Sequence, residues 1–250
     1  MANSLATQQV YINFISINGQ YLAQIAKGKN MTIVKREMLQ CALCGNTSEQ
    51  RIIRSTSAFG SPDLDTRPPE MARSIIIFQI QSCPSCGYCA PSIANSLGKL
   101  STLVNSDNYK QQLNNPKFPR LANAYLCYSM LEESVESYAK AGWASIHAAW
   151  ICDDDNLVRV TKKCRQRALD LLRRAMQEGQ CIGNQIAAEE ALMVDLLRRS
   201  RQFAEARATC NEGLGKQPGK YIQDILLFQQ KLIAKSDCAC HSISEMNDFK

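Results

Sequence analysis

The residues best suited to chemistry in this chain are four cysteines in two pairs. They are Cys41-Ala-Leu-Cys44-Gly45 and Cys83-Pro-Ser-Cys86-Gly87, with 38 residues between the pairs. A Cys-x-x-Cys segment places two thiolates on one side of a tight turn, and the Gly that follows lets the backbone fold over the sulfurs. Together the pairs offer four soft ligands, which suit tetrahedral zinc or a single iron. Spacing alone does not separate these metals, because rubredoxin-type iron sites use the same two knuckles. The nearby aromatic residues are Phe59, Phe78 and Tyr88, sparse for a rubredoxin, so zinc is favoured. Four cysteine ligands close the coordination shell and leave no position for water, so the metal is expected to fix shape rather than to catalyse. Cys89 extends the second knuckle to Cys83-x-x-Cys86-x-x-Cys89, like the start of a ferredoxin run. That run continues to a fourth cysteine followed by Pro, whereas here it continues Ala90-Pro91. Cys89 is read as a small buried apolar residue.

The elements that must hold the knuckles are short β runs. Ile52 and Ile53, and then the stretch from Ile75 to Ile80, read as hairpin strands of a zinc ribbon. Between them lies a long loop, Phe59-Gly60-Ser61-Pro62-Asp63-Leu64-Asp65-Thr66-Arg67-Pro68-Pro69-Glu70. Asp63, Asp65 and Arg67 there form a candidate polar site, two carboxylates for acid–base or cation chemistry and an arginine for an anion. The same residue types also serve as turn caps with a local ion pair. His147 and His241 are the chain's two histidines, so histidine-based catalysis is not expected.

The combination Cys-x-Leu-Cys-Gly (42–45 after Cys41), the Asp-rich loop 59–70 and Cys83-Pro-Ser-Cys86-Gly87-Tyr88, followed by a helical tail, resembles a bacterial family called domain of unknown function 2225. The resemblance covers roughly residues 38–180. It implies a bacterial cytosolic protein and no particular activity. The extra Cys89 departs from its pattern.

From about residue 92 the apolar residues recur with helical period, in Pro119–Val135, Gly142–Ile151, Cys164–Met176 and Ala191–Leu197. The breaks are short and polar: Asn114-Asn115-Pro116, Asp153-Asp154-Asp155-Asn156, and Gln180 to Asn184. The segment from Ala191 to Pro218 resembles a tetratricopeptide repeat, with Ala206, Cys210 and Pro218 at its spaced positions, Phe203 after the turn and Gly213 as a further close contact. The segment Tyr221–Lys235 reads as a closing helix, and Trp143–Met176 as an earlier, degenerate repeat. Such arrays bind extended peptides along a groove, and Asp195, Arg198 and Arg199 would line it, with two arginines to clamp a carboxylate. A second basic cluster comprises Arg159, Lys162, Lys163, Arg165, Arg167, Arg173 and Arg174. Aromatics are not interleaved with it, and Asp153–Asp155 lie beside it, so a solvated helix face is expected rather than a phosphate-binding strip. Cys238, Cys240 and His241 close the chain as a C-x-C-H tail.

The formal charge of +6 permits an acidic partner without demanding one. Apolar runs such as Ile75-Ile76-Ile77-Phe78 are too short to cross a bilayer. Residues 1–30 lack a basic start followed by an apolar core, so a cytoplasmic setting with reduced cysteines is expected. They read as a loose extension, with Met31 as a candidate true start. The expected fold class is therefore α+β, mostly α. A zinc-ribbon-like module (31–91) precedes an all-α tetratricopeptide-like array (92–236) and a flexible tail (237–250). The expected function is a zinc-stabilised scaffold or adaptor for a protein or peptide partner, without catalysis or membrane association. The alternatives are a nucleic-acid-binding zinc-ribbon regulator and an iron-binding, rubredoxin-like redox protein.

Overall fold

Two cysteine turns organise the N-terminal half. Strand β1 (Ile33–Gln40) pairs antiparallel with β2 (Thr47–Ser55), and Gln40 lies opposite Thr47, so the first cysteine pair forms the hairpin turn. Strand β3 (Gln81–Ser82) pairs with β4 (Cys89–Ala90), and the second pair forms that turn. Each knuckle thus closes its own hairpin. Ile52 and Ile53 lie in β2 as expected, but Ile75–Ile77 do not form a strand. They belong to a short 3-10 helix, Ser74–Phe78. A continuous apolar run has no period that separates strand from helix. Here Ile75, Ile76 and Ile80 are buried, and the Ile76 carbonyl accepts a hydrogen bond from the Tyr125 hydroxyl at 2.9 Å instead of from a strand neighbour.

The computed structural model describes residues 32–96, 98 and 100–249; the expected extension 1–30 and Met31 lie outside them. After the hairpins come α1 (Ser101–Asn105), α2 (Asp107–Leu113), α3 (Arg120–Ser134), α4 (Tyr138–Asp154) and α5 (Val158–Gln177). Then follow α6 (Ala188–Arg199), α7 (Phe203–Gly215) and α8 (Lys220–Ala234), and a final 3-10 segment, Ile243–Phe249. The fold is α+β and mostly α. The breaks at Asn114–Pro116 and Gln180–Asn184 fall between helices, and the Asp153–Asn156 break spans the end of α4, whose last two residues are Asp153 and Asp154.

Four helices end in the same way. After α3, α4, α6 and α8, a residue enters the left-handed region: Glu136 (φ 59°), Asn156 (55°), Arg201 (64°) and Ser236 (53°). The next N–H then returns to the carbonyl five residues back. The bonds are Ser137 to Glu132 (2.8 Å), Leu157 to Cys152 (2.9 Å), Gln202 to Leu197 (2.9 Å) and Asp237 to Leu232 (3.0 Å). This turn satisfies carbonyls that the helix leaves open and turns the chain back on itself. Glycine is the unstrained residue for it, yet none of the four is glycine. Arg201 is solvent-exposed, so Arg201→Gly is expected to raise stability by about 1 kcal/mol. Denaturant unfolding checks this, and a loss of stability would contradict it.

The described residues fall into two compact units: 32–57 with 74–175, and 58–73 with 176–249. This division departs from a boundary at residue 91. The knuckle hairpins belong with α1–α5, because β4 packs on α3 and the hydroxyls of Tyr109 and Tyr125 bind backbone around the hairpins. The loop between the knuckles belongs with the later helices. In that second unit α6 and α7 form a helical hairpin covered by α8. Ala206 and Cys210 are fully buried, as their spacing predicts.

Candidate metal centre

The two knuckles are built alike. In the first, the Cys41 N–H donates to Asn46 O (2.8 Å) and the Gly45 N–H to Cys41 O (2.8 Å). In the second, the Cys83 N–H donates to Tyr88 O (2.9 Å) and the Gly87 N–H to Cys83 O (2.9 Å). Gly45 and Gly87 have φ of +73° and +78°, which is the conformation that demands glycine there. At Gly87 a Cβ would also lie 2.5 Å from a Leu113 methyl.

The turns bring four sulfurs together. Cys41 Sγ lies 3.8 Å from Cys86 Sγ, and Cys44 Sγ 3.6 Å from Cys83 Sγ. All four ligand atoms lie within 4.8 Å of one another. A zinc–thiolate bond of about 2.3 Å gives a tetrahedron with sulfur–sulfur edges of about 3.8 Å, so the cluster fits such an ion. Cys41 and Cys83 are buried and Cys44 is exposed. Burial pushes the Cys41 and Cys86 thiols up, while the Asn46 N–H facing the sulfur holds Cys44 down at about 7. Four thiolates facing one another need a cation between them, and a bound metal would displace their protons.

Residues away from the knuckles hold them in place. The Ala42 N–H donates to Ile93 O (2.8 Å), and the Ile93 N–H donates to Gln81 Oε1 (3.0 Å). The first knuckle is thereby tied to the chain just beyond the second. Tyr109, on α2 and fully buried, donates its hydroxyl to Gly87 O (3.0 Å) and accepts from the Cys89 N–H (3.2 Å). No spacing signal in the sequence points to Tyr109, which lies 22 residues from Gly87. Partners that orient ligands in this way commonly contribute tenfold or more to affinity, so Tyr109→Phe is expected to weaken zinc binding about tenfold. Competition with a chromogenic chelator reads this, and an unchanged affinity would contradict the role. Cys89 is buried, and its thiol faces the Ser82 hydroxyl (3.3 Å) and donates to Gly87 O (3.3 Å), outside the four-sulfur cluster.

The candidate polar loop is buried rather than open. Asp63, Asp65 and Arg67 are each 6% exposed or less. Asp65 accepts from the Arg67 N–H (3.2 Å) and pairs with Arg199 (2.8 Å); Asp63 pairs with Arg73 (2.7 Å). Burial and the Asp65 charge push the Asp63 carboxyl up, and Arg73 opposes them. The face expected as a peptide groove is occupied by the same chain. Arg198 has no exposed surface; it pairs with Asp195 (2.6 Å) and donates to the main-chain carbonyls of Asp237 and Ala239, both at 2.9 Å. The tail, read from sequence as flexible, is the segment that Arg198 holds. In the basic cluster, Arg165 is buried and paired with Asp153, Arg167 with Glu133 (2.5 Å), and Arg174 stacks over the Tyr138 ring (4.2 Å). These three arginines tie helices together.

No helix among the described residues is long and apolar enough to cross a membrane. No family model, curated protein or solved structure matches the chain.

Proposed function

We propose that the chain is a zinc-stabilised scaffold or adaptor for a protein or peptide partner. It sits in the cytoplasm of a bacterium and belongs with the domain-of-unknown-function 2225 family that its knuckles and loop resemble. The observation that carries the first part is the four-sulfur cluster, held by two matched hairpin turns and already full as a coordination shell. A shell of four thiolates stabilises a fold and leaves no site for substrate or water. Support for a partner-binding role comes from the α6–α7 hairpin, read as a tetratricopeptide-like unit. On it, Arg198 binds two main-chain carbonyls two residues apart, as a receptor for an extended peptide does.

The nucleic-acid reading loses support because Arg165, Arg167 and Arg174 already serve internal contacts. Cross-linking in cells, followed by purification under denaturing conditions with and without nuclease, tests the proposal. A protein partner that survives nuclease, and that Cys83→Ser abolishes, is the expected result. Cross-linked material lost to nuclease would overturn it.

A further inference from the structure

The Arg198 face of α6 is covered by the chain itself, so a peptide partner needs another surface. The unit that holds the knuckles offers one, a cleft of about 600 Å³ between α2 and α3, within the size range of ligand sites. Its two walls differ. From α2 and the residues just after it come Asn108, Gln111, Gln112 and Asn115, at i, i+3, i+4 and i+7. That spacing is one helix stripe, where a packed helix sets apolar residues. Here it holds four carboxamides, while the charged residues of α2, Asp107 and Lys110, lie outside the lining. From α3 come Leu126 and Met130, which make an apolar floor.

The polar groups are held in place with hydrogen-bonding capacity to spare. Gln112 Nε2 donates to Asn123 Oδ1 (2.9 Å), and Asn115 Oδ1 accepts from the Lys117 N–H (3.1 Å). Gln112 keeps its carbonyl oxygen and Asn115 its amide hydrogens. Asn108 and Gln111 are exposed. At one end Arg167, on α5, donates to Ser129 Oγ (3.2 Å) and to Glu133 (2.5 Å), and its Nη1 carries two further N–H groups. Glu133 and Arg167 are the charged residues of the lining, and they offset each other. The α2 wall is itself seated on the second knuckle, by Tyr109 on Gly87 O (3.0 Å) and by Leu113 packed against Gly87.

The class of ligand follows from this chemistry. A lining with no net charge gives a phosphate backbone no attraction. A carboxamide presents one carbonyl and one amide nitrogen, the same acceptor and donor as a peptide group. Asn108 and Gln112 lie about 6 Å apart along the helix axis. Groups on one side of an extended chain repeat every second residue, at about 6.6 Å, so the two spacings match. Met130 adapts its shape and accepts varied apolar side chains. We propose that the α2–α3 cleft binds an extended, apolar segment of a partner protein by its main chain, with the carboxamides of α2 pairing with alternate peptide groups. This rests on the partner-binding reading above and names its site.

A display library of short random peptides, panned on the full, metal-loaded chain, supplies the probe. Selected peptides are made with capped ends and titrated by fluorescence anisotropy. Methylation of single peptide nitrogens is expected to weaken binding about tenfold at every second position and little at those between. Asn108→Ala with Gln111→Ala is expected to weaken it about tenfold as well, with unchanged helical circular dichroism. A library without binders, a methylation scan without alternation, or undiminished binding to the double variant would overturn the proposal. So would a dimer of the chain, seen by sedimentation, that the double variant dissolves, because the cleft would then belong to a second copy. The cellular cross-linking described above keeps the two readings apart. A nuclease-resistant protein partner that the double variant still captures would exclude the cleft and leave the scaffold reading standing.

Discussion

Cys83→Ser, or removal of the metal by a chelator, is expected to melt both knuckle hairpins while leaving the helices of the same unit folded. A structural zinc contributes an apparent binding free energy of about 10–16 kcal/mol at neutral pH, as much as the whole stability of a typical domain, about 5–15 kcal/mol. The hairpins have no comparable support of their own. Strands β3 and β4 are two residues each, and β1–β2 is a two-stranded ribbon with most of its residues exposed or half-buried; such hairpins are marginal in water. The helices differ, because Leu131, Ile146, Leu169 and Leu172 are fully buried among them. Hydrogen exchange is expected to rise across residues 33–55 and 81–90 with little loss of helical circular dichroism. Unchanged protection of β1–β2 in the metal-free protein would contradict this.

The second large effect is expected at Arg198. It is fully buried, paired with Asp195, and bound to two main-chain carbonyls. Arg198→Met would leave the Asp195 carboxylate buried with only Arg199 nearby, at 3.8 Å, and would orphan both carbonyls. Breaking one side of a buried pair costs about 3–5 kcal/mol. Removing both charges together, as Arg198→Met with Asp195→Leu, is expected to recover a large part of that loss, because no unpaired charge remains. Denaturant unfolding reads both variants. A loss below about 1 kcal/mol for Arg198→Met, the level of a surface pair, would contradict the burial argument.

The cysteine tetrad was legible because its signal is local. Each Cys-x-x-Cys-Gly carries its own turn chemistry, and two such turns leave one arrangement in which four sulfurs meet. The helix breaks were legible for a similar reason, since runs such as Asp153–Asn156 interrupt a clear period. What sequence reading missed depends on long-range contact. Ile75–Ile77 have an apolar run without a period, and the Tyr125 hydroxyl that binds the Ile76 carbonyl lies 49 positions away. Tyr109 supports Gly87 from 22 positions away. Asp65 meets Arg199 across 134 positions and Cys240 meets Asp63 across 177, so neither the burial of the loop nor the seating of the tail is written in any short stretch. Asp195, Arg198 and Arg199 share a helix face whose polarity suggests a binding surface, and nothing in their spacing reveals that the chain itself covers it.

The most direct measurement is the metal content of protein purified without added metal, with an absorption spectrum of the same sample. About one zinc per chain, with no visible absorbance, is the expected result for a closed structural site. Iron with a visible charge-transfer band, or knuckle hairpins that stay folded in a chain without metal, would contradict it.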